Sequence, residues 1–213
     1  YLYQWGRPSD GHQSRSSATT AISADSNTPG HGNFITSSSD WRSGSGNDNR
    51  WGDGTALAAG VTSLNPAKAA NDPCPAGWKV PSATQWSSLL SGYAWSKLAN
   101  VNETPAWYTA VTTSVFVPSG SKNTWTRTNT GYYVGDRLYL PMAGYRTSGG
   151  EVVLKGSTNN YLGMYWSSTA SSAHSGQSMF FAMAFDRLVP YSGGGTYFGN
   201  GYRAQGNSVR CIK

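Results

Sequence analysis

Apolar side chains recur at helical spacing at one place in this chain. Trp86, Leu89, Leu90 and Tyr93 stand at i, i+3, i+4 and i+7, the stripe of a helix pressed on a core. Ser82 lies where an N-cap belongs, and Gln85 three residues on completes a capping box. Just upstream, Pro73, Pro75, Gly77 and Pro81 stiffen and turn the backbone, because proline fixes φ and glycine widens its range. Residues 71–93, NDPCPAGWKVPSATQWSSLLSGY, are thus predicted to be a turned approach followed by the one assignable helix.

Elsewhere the pattern is extended. Residues 1–5 read as a short strand, and 110–117 (AVTTSVFV) as a strand that Pro118 ends. In 137–146, RLYLPMAGYR, a proline interrupts the apolar run, which predicts an edge strand or bulge. A hairpin turn at Gly149-Gly150 leads into a strand over 151–154. Three further strands are predicted at 163–169, 179–185 and 208–213. The second, MFFAMAF, is apolar on both faces and should be central. In the third, SVRCIK, Val209 and Cys211 face one way and Arg210 the other.

The polar stretches between these elements read as loops. Residues 6–50 form a long one, with Phe34, Ile35 and Trp41 as the apolar pegs that hold it down. Residues 47–54, NDNRWGDG, suggest a calcium loop but fail the EF-hand register, since Trp51 takes the fifth position. They are read as an Asx/Gly turn closed by a buried Trp51. His12 and His31 lack metal-ligand spacing and read as surface or hydrogen-bonding histidines.

Composition narrows the class. Only 12% of the 213 residues are charged, about half of ordinary usage, so Ser, Thr, Asn and Gly supply the polar surface. The 26 glycines point to turns, while 9 Trp and 13 Tyr argue against disorder. One α+β, loop-rich domain over 1–213 is expected, with few helices and a small, mostly antiparallel sheet. The net charge of +6 is scattered singly, which lacks the basic stripe of a nucleic-acid binder. No run of about 20 apolar residues predicts a membrane span. Without a signal peptide or an initiating Met, the sequence reads as a mature or excised part of a longer chain, its C-terminal domain. Cys74 and Cys211 fit either two free thiols or one disulfide.

No catalytic pattern emerges. The chain has no G-x-S-x-G, H-E-x-x-H, phosphate-cradling loop or C-x-x-C, so a non-enzyme with no cofactor and no metal is expected. Binding is the better class. Residues 165–205 carry Tyr165, His174, Gln177, Arg187, Tyr191, Tyr197, Tyr202 and Arg203 among many Ser and Gly, the composition of adaptable recognition loops. Trp166, in the same stretch, is assigned to the core.

Several motifs carry a family resemblance. YQWGR at residues 3–7, NDPCPAGWKVPSATQW at 71–86, LPMAGYR at 140–146, YWSST at 165–169 and GNSVRCIK at 206–213 occur together and in order. With them the chain resembles the FISUMP family, the "major paralogous domain" of bacterial surface proteins, over nearly its whole length. The resemblance implies a C-type lectin-like fold, in which Cys74 and Cys211 pair. It implies an extracellular adhesin or receptor-binding domain of a pilus tip or surface lipoprotein, joined to an N-terminal anchor or pilin domain. The partner would be a surface glycan or protein. A retroelement-diversified binder and a structural module are the alternative readings. The chain lacks the Glu-Pro-Asn and Trp-Asn-Asp triplets of calcium-dependent lectins, so calcium-dependent sugar binding is not expected.

Overall fold

The structure, a computed structural model, describes residues 1–44, 48–52, 67–83, 85–86, 113–116, 125–128, 131–134, 138–155, 162–171, 176–184 and 198–213. In chain order its strands are β1 (Tyr3–Gln4), β2 (Thr19–Thr20), β3 (Phe34–Ile35), β4 (Thr113–Phe116), β5 (Trp125–Thr128), β6 (Gly131–Val134), β7 (Leu138–Pro141), β8 (Tyr145–Arg146), β9 (Val152–Val153), β10 (Leu162–Ala170), β11 (Gln177–Ala184), β12 (Phe198–Tyr202) and β13 (Gly206–Asn207). They form two four-stranded sheets, β1-β13-β8-β9 and β4-β5-β6-β7, a three-stranded sheet β10-β11-β12, and the parallel pair β2-β3. All pairings except β2-β3 are antiparallel. The described fold is mostly β and loop-rich, with almost no helix.

Local chemistry explains the elements. Pro141 cannot donate to a ladder, and β7, which it ends, is an edge strand. The apolar β11 is central between β10 and β12. Thr147 and Gly150 close the β8-β9 hairpin, with Gly150 at φ 93°. At the helix start, Gln85 N donates to Ser82 Oγ at 3.2 Å and Ser82 N to Gln85 Oε1 at 2.9 Å, the two halves of a capping box. Residues 83, 85 and 86 are helical. Leu89, Leu90 and Tyr93 lie outside the described residues.

The expected final strand is corrected. Residues 208–213 make no continuous ladder, because their partners change along the segment. Ser208 bridges Tyr165 in parallel, whereas Ile212 bridges Lys79 antiparallel. The regular strand lies just before them, at β13. The expected alternation survives: Val209 and Cys211 pack on the core and Arg210 is exposed.

The core is held by indoles that bury their rings and donate to distant carbonyls. Trp5 Nε1 reaches Ser167 O at 2.8 Å, Trp41 Nε1 reaches Trp5 O at 2.7 Å, and Trp166 Nε1 reaches Tyr3 O at 2.7 Å. Trp51 Nε1 donates to Asn71 O at 3.0 Å and Trp86 Nε1 to Trp166 O at 3.2 Å. All five side chains are buried, as are the expected pegs Phe34 and Ile35. Each buried indole is worth about 5 kcal/mol in transfer free energy at most, and its bond about 1 kcal/mol more. Two-residue strands contribute far less, so tryptophan burial, more than sheet ladders, joins the segments.

The 71–80 turn is organised by Asp72, a buried carboxylate. It accepts the N–H of Cys74 and the N–H of Val80, both at 2.8 Å, and Lys68 Nζ at 2.8 Å. Asn71 Nδ2 donates to the carbonyls of Gly6 and Asn27. Cys74 and Cys211 form a disulfide across 137 residues of sequence.

Candidate functional site

The family-like motifs build scaffold. Gln4 fills all four hydrogen-bonding positions of its amide: Nε2 donates to Ile35 O and Ala204 O, and Oε1 accepts from Ile35 N and Arg7 Nη1. Arg7 is buried, bonded to Asp10, Asn33 O and His31 O. Arg146 lies 4.1 Å from the Phe34 ring and donates to Gly150 O, Ser17 Oγ and Ser17 O. In YWSST, Ser168 N donates to Pro81 O and Thr169 Oγ1 accepts from Ala83 N. The β10-β11 register shifts between Trp166 and Ala170, where β10 turns to meet the helix start.

Two tryptophan rings and three arginines stack behind β12. Arg7 and Arg50 face the Trp41 ring at 5.6 and 4.8 Å, and Arg50 and Arg203 face the Trp5 ring at 5.5 and 4.6 Å. Asp40 pairs with both Arg50 and Arg203, and Asp48 pairs with Arg203. Burial lowers the pKa of Arg50, with Asp40 opposing the shift; an arginine stays charged through such a shift. These pairs leave charge compensated inside, and each cation–π contact adds about 0.5–2 kcal/mol.

This stack locks the inner face of the β11-β12 hairpin. Ser178 pairs with Gly201 and both are buried, while Arg203 Nε donates to Ser178 Oγ at 3.1 Å. The outer face begins one residue away in register. Gln177 pairs with Tyr202; Tyr202 is 42% exposed, and Gln177 and Asn200 are half-buried. The alternation Gly199, Asn200, Gly201, Tyr202 thus sets Asn200 and Tyr202 on one face and glycines on the other. The exposed Tyr202 ring and the Gln177 and Asn200 amides thus share one face over a buried backing, groups suited to stacking and hydrogen bonding.

The candidate binding residues therefore separate. Gln177 and Tyr202 come together as register partners. Tyr165 and Arg203 are not offered to a ligand. The Tyr165 hydroxyl donates to Pro141 O at 2.6 Å, its ring lies 5.6 Å from that of Trp86, and burial pushes its pKa up. Arg203 is 3% exposed and held by Asp40, Asp48 and Trp5. Composition marked both as recognition residues, but β10 is buried on both faces at Tyr165, and Arg203, in the turn just after β12, is buried against its acidic partners. His174, Arg187, Tyr191 and Tyr197 lie outside the described residues. Asn200 was missed, although its flanking glycines at period two are a legible signal.

His12 is fully buried. Its Nε2 accepts the Gln4 N–H at 3.0 Å, which sets Nδ1 as the donor to Asp10 Oδ1 at 2.6 Å. Burial, only partly offset by Asp10, pushes its pKa down to about 4. Asp10 is raised by burial but held below its usual value by His12 and Arg7. His12 is thus a neutral, structural imidazole that donates to the ionised Asp10, whose charge Arg7 balances. Among the described residues, no three His, Cys, Asp or Glu side chains gather as a metal cluster, and no helix is long and apolar enough to cross a membrane.

The family model described as "Fibrobacter succinogenes major domain" matches residues 1–213. No curated protein and no solved structure matches the chain. With every residue inside that match, the chain belongs to the Fibrobacter succinogenes major domain family.

Proposed function

We propose that this protein is a non-enzymatic, extracellular recognition domain on a C-type lectin-like scaffold. It binds a surface glycan or protein through the outer face of β11-β12, at Gln177, Asn200 and Tyr202. The observation that carries this reading is the contrast between the two faces of the hairpin. The inner face is fixed by Ser178 and by Arg203 over the Trp5 ring, while Tyr202, 42% exposed, shares the other face with two amides. A rigid aromatic with polar neighbours gives contact area at low entropic cost.

The Cys74–Cys211 disulfide supports an oxidising compartment, in keeping with a surface adhesin of the pilus-tip or lipoprotein kind. The same bond ties the helix approach to the final segment, as a C-type lectin-like fold requires. The test is an array of glycans and surface proteins probed with the wild-type domain, Tyr202→Ala and Gln177→Ala. A ligand lost by both variants at unchanged melting temperature supports the reading. A ligand retained by both moves the site elsewhere.

A further inference from the structure

We propose that the outer edge of β12 pairs with β12 of a second copy of this chain, antiparallel about a two-fold axis at Asn200. The two β10-β11-β12 sheets then become one continuous sheet. The pairing uses the backbone edge, not the outer face, and it stands whether or not that face takes a ligand.

The ladder with β11 decides which backbone groups of β12 are left over. Arg203 N donates to Gly176 O at 3.0 Å, in register with the Gly201–Ser178 and Gly199–Phe180 pairs. Alternate residues of an antiparallel strand turn their N–H and C=O to opposite sides. Gly199 and Gly201 therefore face β11, and Phe198, Asn200 and Tyr202 face away from it. The Tyr202 carbonyl accepts Gln205 N at 2.8 Å. Among the described residues, nothing bonds the N–H or C=O of Asn200 or the N–H of Tyr202. This edge is within reach of solvent, since Tyr202 is 42% exposed and Asn200 half-buried.

The other edge of the same sheet is closed. Along β10, Met164 O accepts Ser208 N at 2.8 Å, and Trp166 N and Ser168 N donate to Ser208 O and Pro81 O, both at 2.9 Å. An open edge is ordinarily blunted by a charge, a proline or a bulge. Residues 198–202 carry no charge and no proline, and their register with β11 runs without a shift. The β4-β7 sheet, by contrast, has Pro141 on its β7 edge. β12 thus offers an unprotected template for one more strand.

The strand is complementary to itself. Phe198-Gly199-Asn200-Gly201-Tyr202 reads aromatic, Gly, Asn, Gly, aromatic in both directions. A two-fold axis at Asn200 sets Asn200 against the partner's Asn200, Gly199 against the partner's Gly201, and Tyr202 against the partner's Phe198. The outward groups then match: the two Asn200 residues exchange both N–H···O bonds, and each Tyr202 N–H meets the Phe198 carbonyl of the other copy. Like meets like at every position, as an isologous contact requires, and no charge stands opposite its own kind. A foreign strand fits the same backbone groups but gains nothing from the palindrome. An edge of five residues is too small for a tight dimer, so the pairing is weak in solution and strengthens where copies are held close together.

The experiment is sedimentation equilibrium of the wild-type protein from about 10 μM to about 1 mM, with amide hydrogen exchange at both ends of that range. Wild type is expected to shift from monomer to dimer, and the Asn200 and Tyr202 amides to exchange more slowly at the high concentration. Asn200→Lys and Asn200→Glu each set like charges together at the axis and should weaken association at least about tenfold. An equimolar mixture of the two variants sets opposite charges there and should recover it. The proposal is overturned if wild type stays monomeric throughout, if either variant associates as wild type, or if the mixture fails to recover. Should a variant not fold, exchange in wild type decides alone, and amides of Asn200 and Tyr202 that ignore concentration overturn the pairing.

Discussion

The side-chain amide of Gln4 donates to the carbonyl of Ala204 at 2.8 Å, across 200 residues of sequence. The same amide serves Ile35 from both its oxygen and its nitrogen. One buried side chain thus joins the first strand, the pair β2-β3 and the turn after β12.

Gln4→Ala is expected to destabilise by about 3–5 kcal/mol. It leaves Ile35 N–H and two carbonyls buried without a partner, each at roughly 1–3 kcal/mol, less whatever relaxation recovers. For a chain of this length the melting temperature should fall by roughly 10 °C. Urea unfolding of the two proteins checks it; a loss below about 1 kcal/mol would show that the amide is dispensable.

Removing the disulfide should matter as much. A loop of 137 residues corresponds to about 5 kcal/mol of lost denatured-state entropy as an upper figure. The Cys74→Ala/Cys211→Ala variant should melt well below wild type, and wild type with reductant should approach it. Scanning calorimetry with and without reductant reads both.

How much of this could be read from the chain depends on the range of the interaction. The capping box at Ser82 and Gln85 was legible because its partners are three residues apart. The central place of β11 and the edge place of Pro141 were legible because period and proline act locally. The pairing of Cys74 with Cys211 needed the family resemblance, since two cysteines alone leave it open. The stack of Trp5, Trp41, Arg50 and Arg203 was not legible, because cation–π contacts join segments far apart in sequence. Tyr165 and Tyr202 look alike by composition; only strand register shows that one is buried and the other exposed. The glycines of β12 suggested loop, yet they are the small inner face that lets β12 lie over Ser178.

Acid should weaken the fold through His12. Its folded pKa of about 4 lies below the ordinary 6.5, so between those values the unfolded chain binds a proton that the folded one does not. The stabilisation is therefore complete above pH 6.5 and is lost as pH falls towards 4, by on the order of 3 kcal/mol. Asp10, held below its usual value, adds a further loss at lower pH. Chemical unfolding at pH 7.5, 5.5 and 4.5 measures the slope. His12→Gln should flatten it between 6.5 and 4, and an unchanged slope would assign it to other groups.

Gly77 and Gly144 share nearly the same φ, 77° and 71°, but not the same surroundings. A Cβ on Gly77 meets nothing within 4 Å, while one on Gly144 would stand 2.2 Å from Val153 O. Gly77→Ala should therefore cost only the left-handed strain, about 1 kcal/mol. Gly144→Ala must also push β9 away and should cost at least about 3 kcal/mol. Equal losses in urea unfolding would mean that φ alone decides.

Tyr202 and Arg203 are adjacent in sequence and opposite in consequence. Arg203→Ala removes the cation over Trp5 and a partner of Asp40 and Asp48. Breaking a buried pair from one side strands charge, and about 3 kcal/mol or more of stability should go with it. Tyr202→Ala removes a ring that is 42% exposed, and its loss should stay near or below about 1 kcal/mol. If recognition uses the outer face of β11-β12, Tyr202→Ala abolishes binding in a protein that melts as wild type. Arg203→Ala, kept cold enough to stay folded, weakens binding only as far as it loosens the hairpin. Measuring melting temperature and ligand affinity on the same two samples separates the roles. The reverse pattern, with Arg203 controlling affinity at full stability, would place the ligand on the inner side.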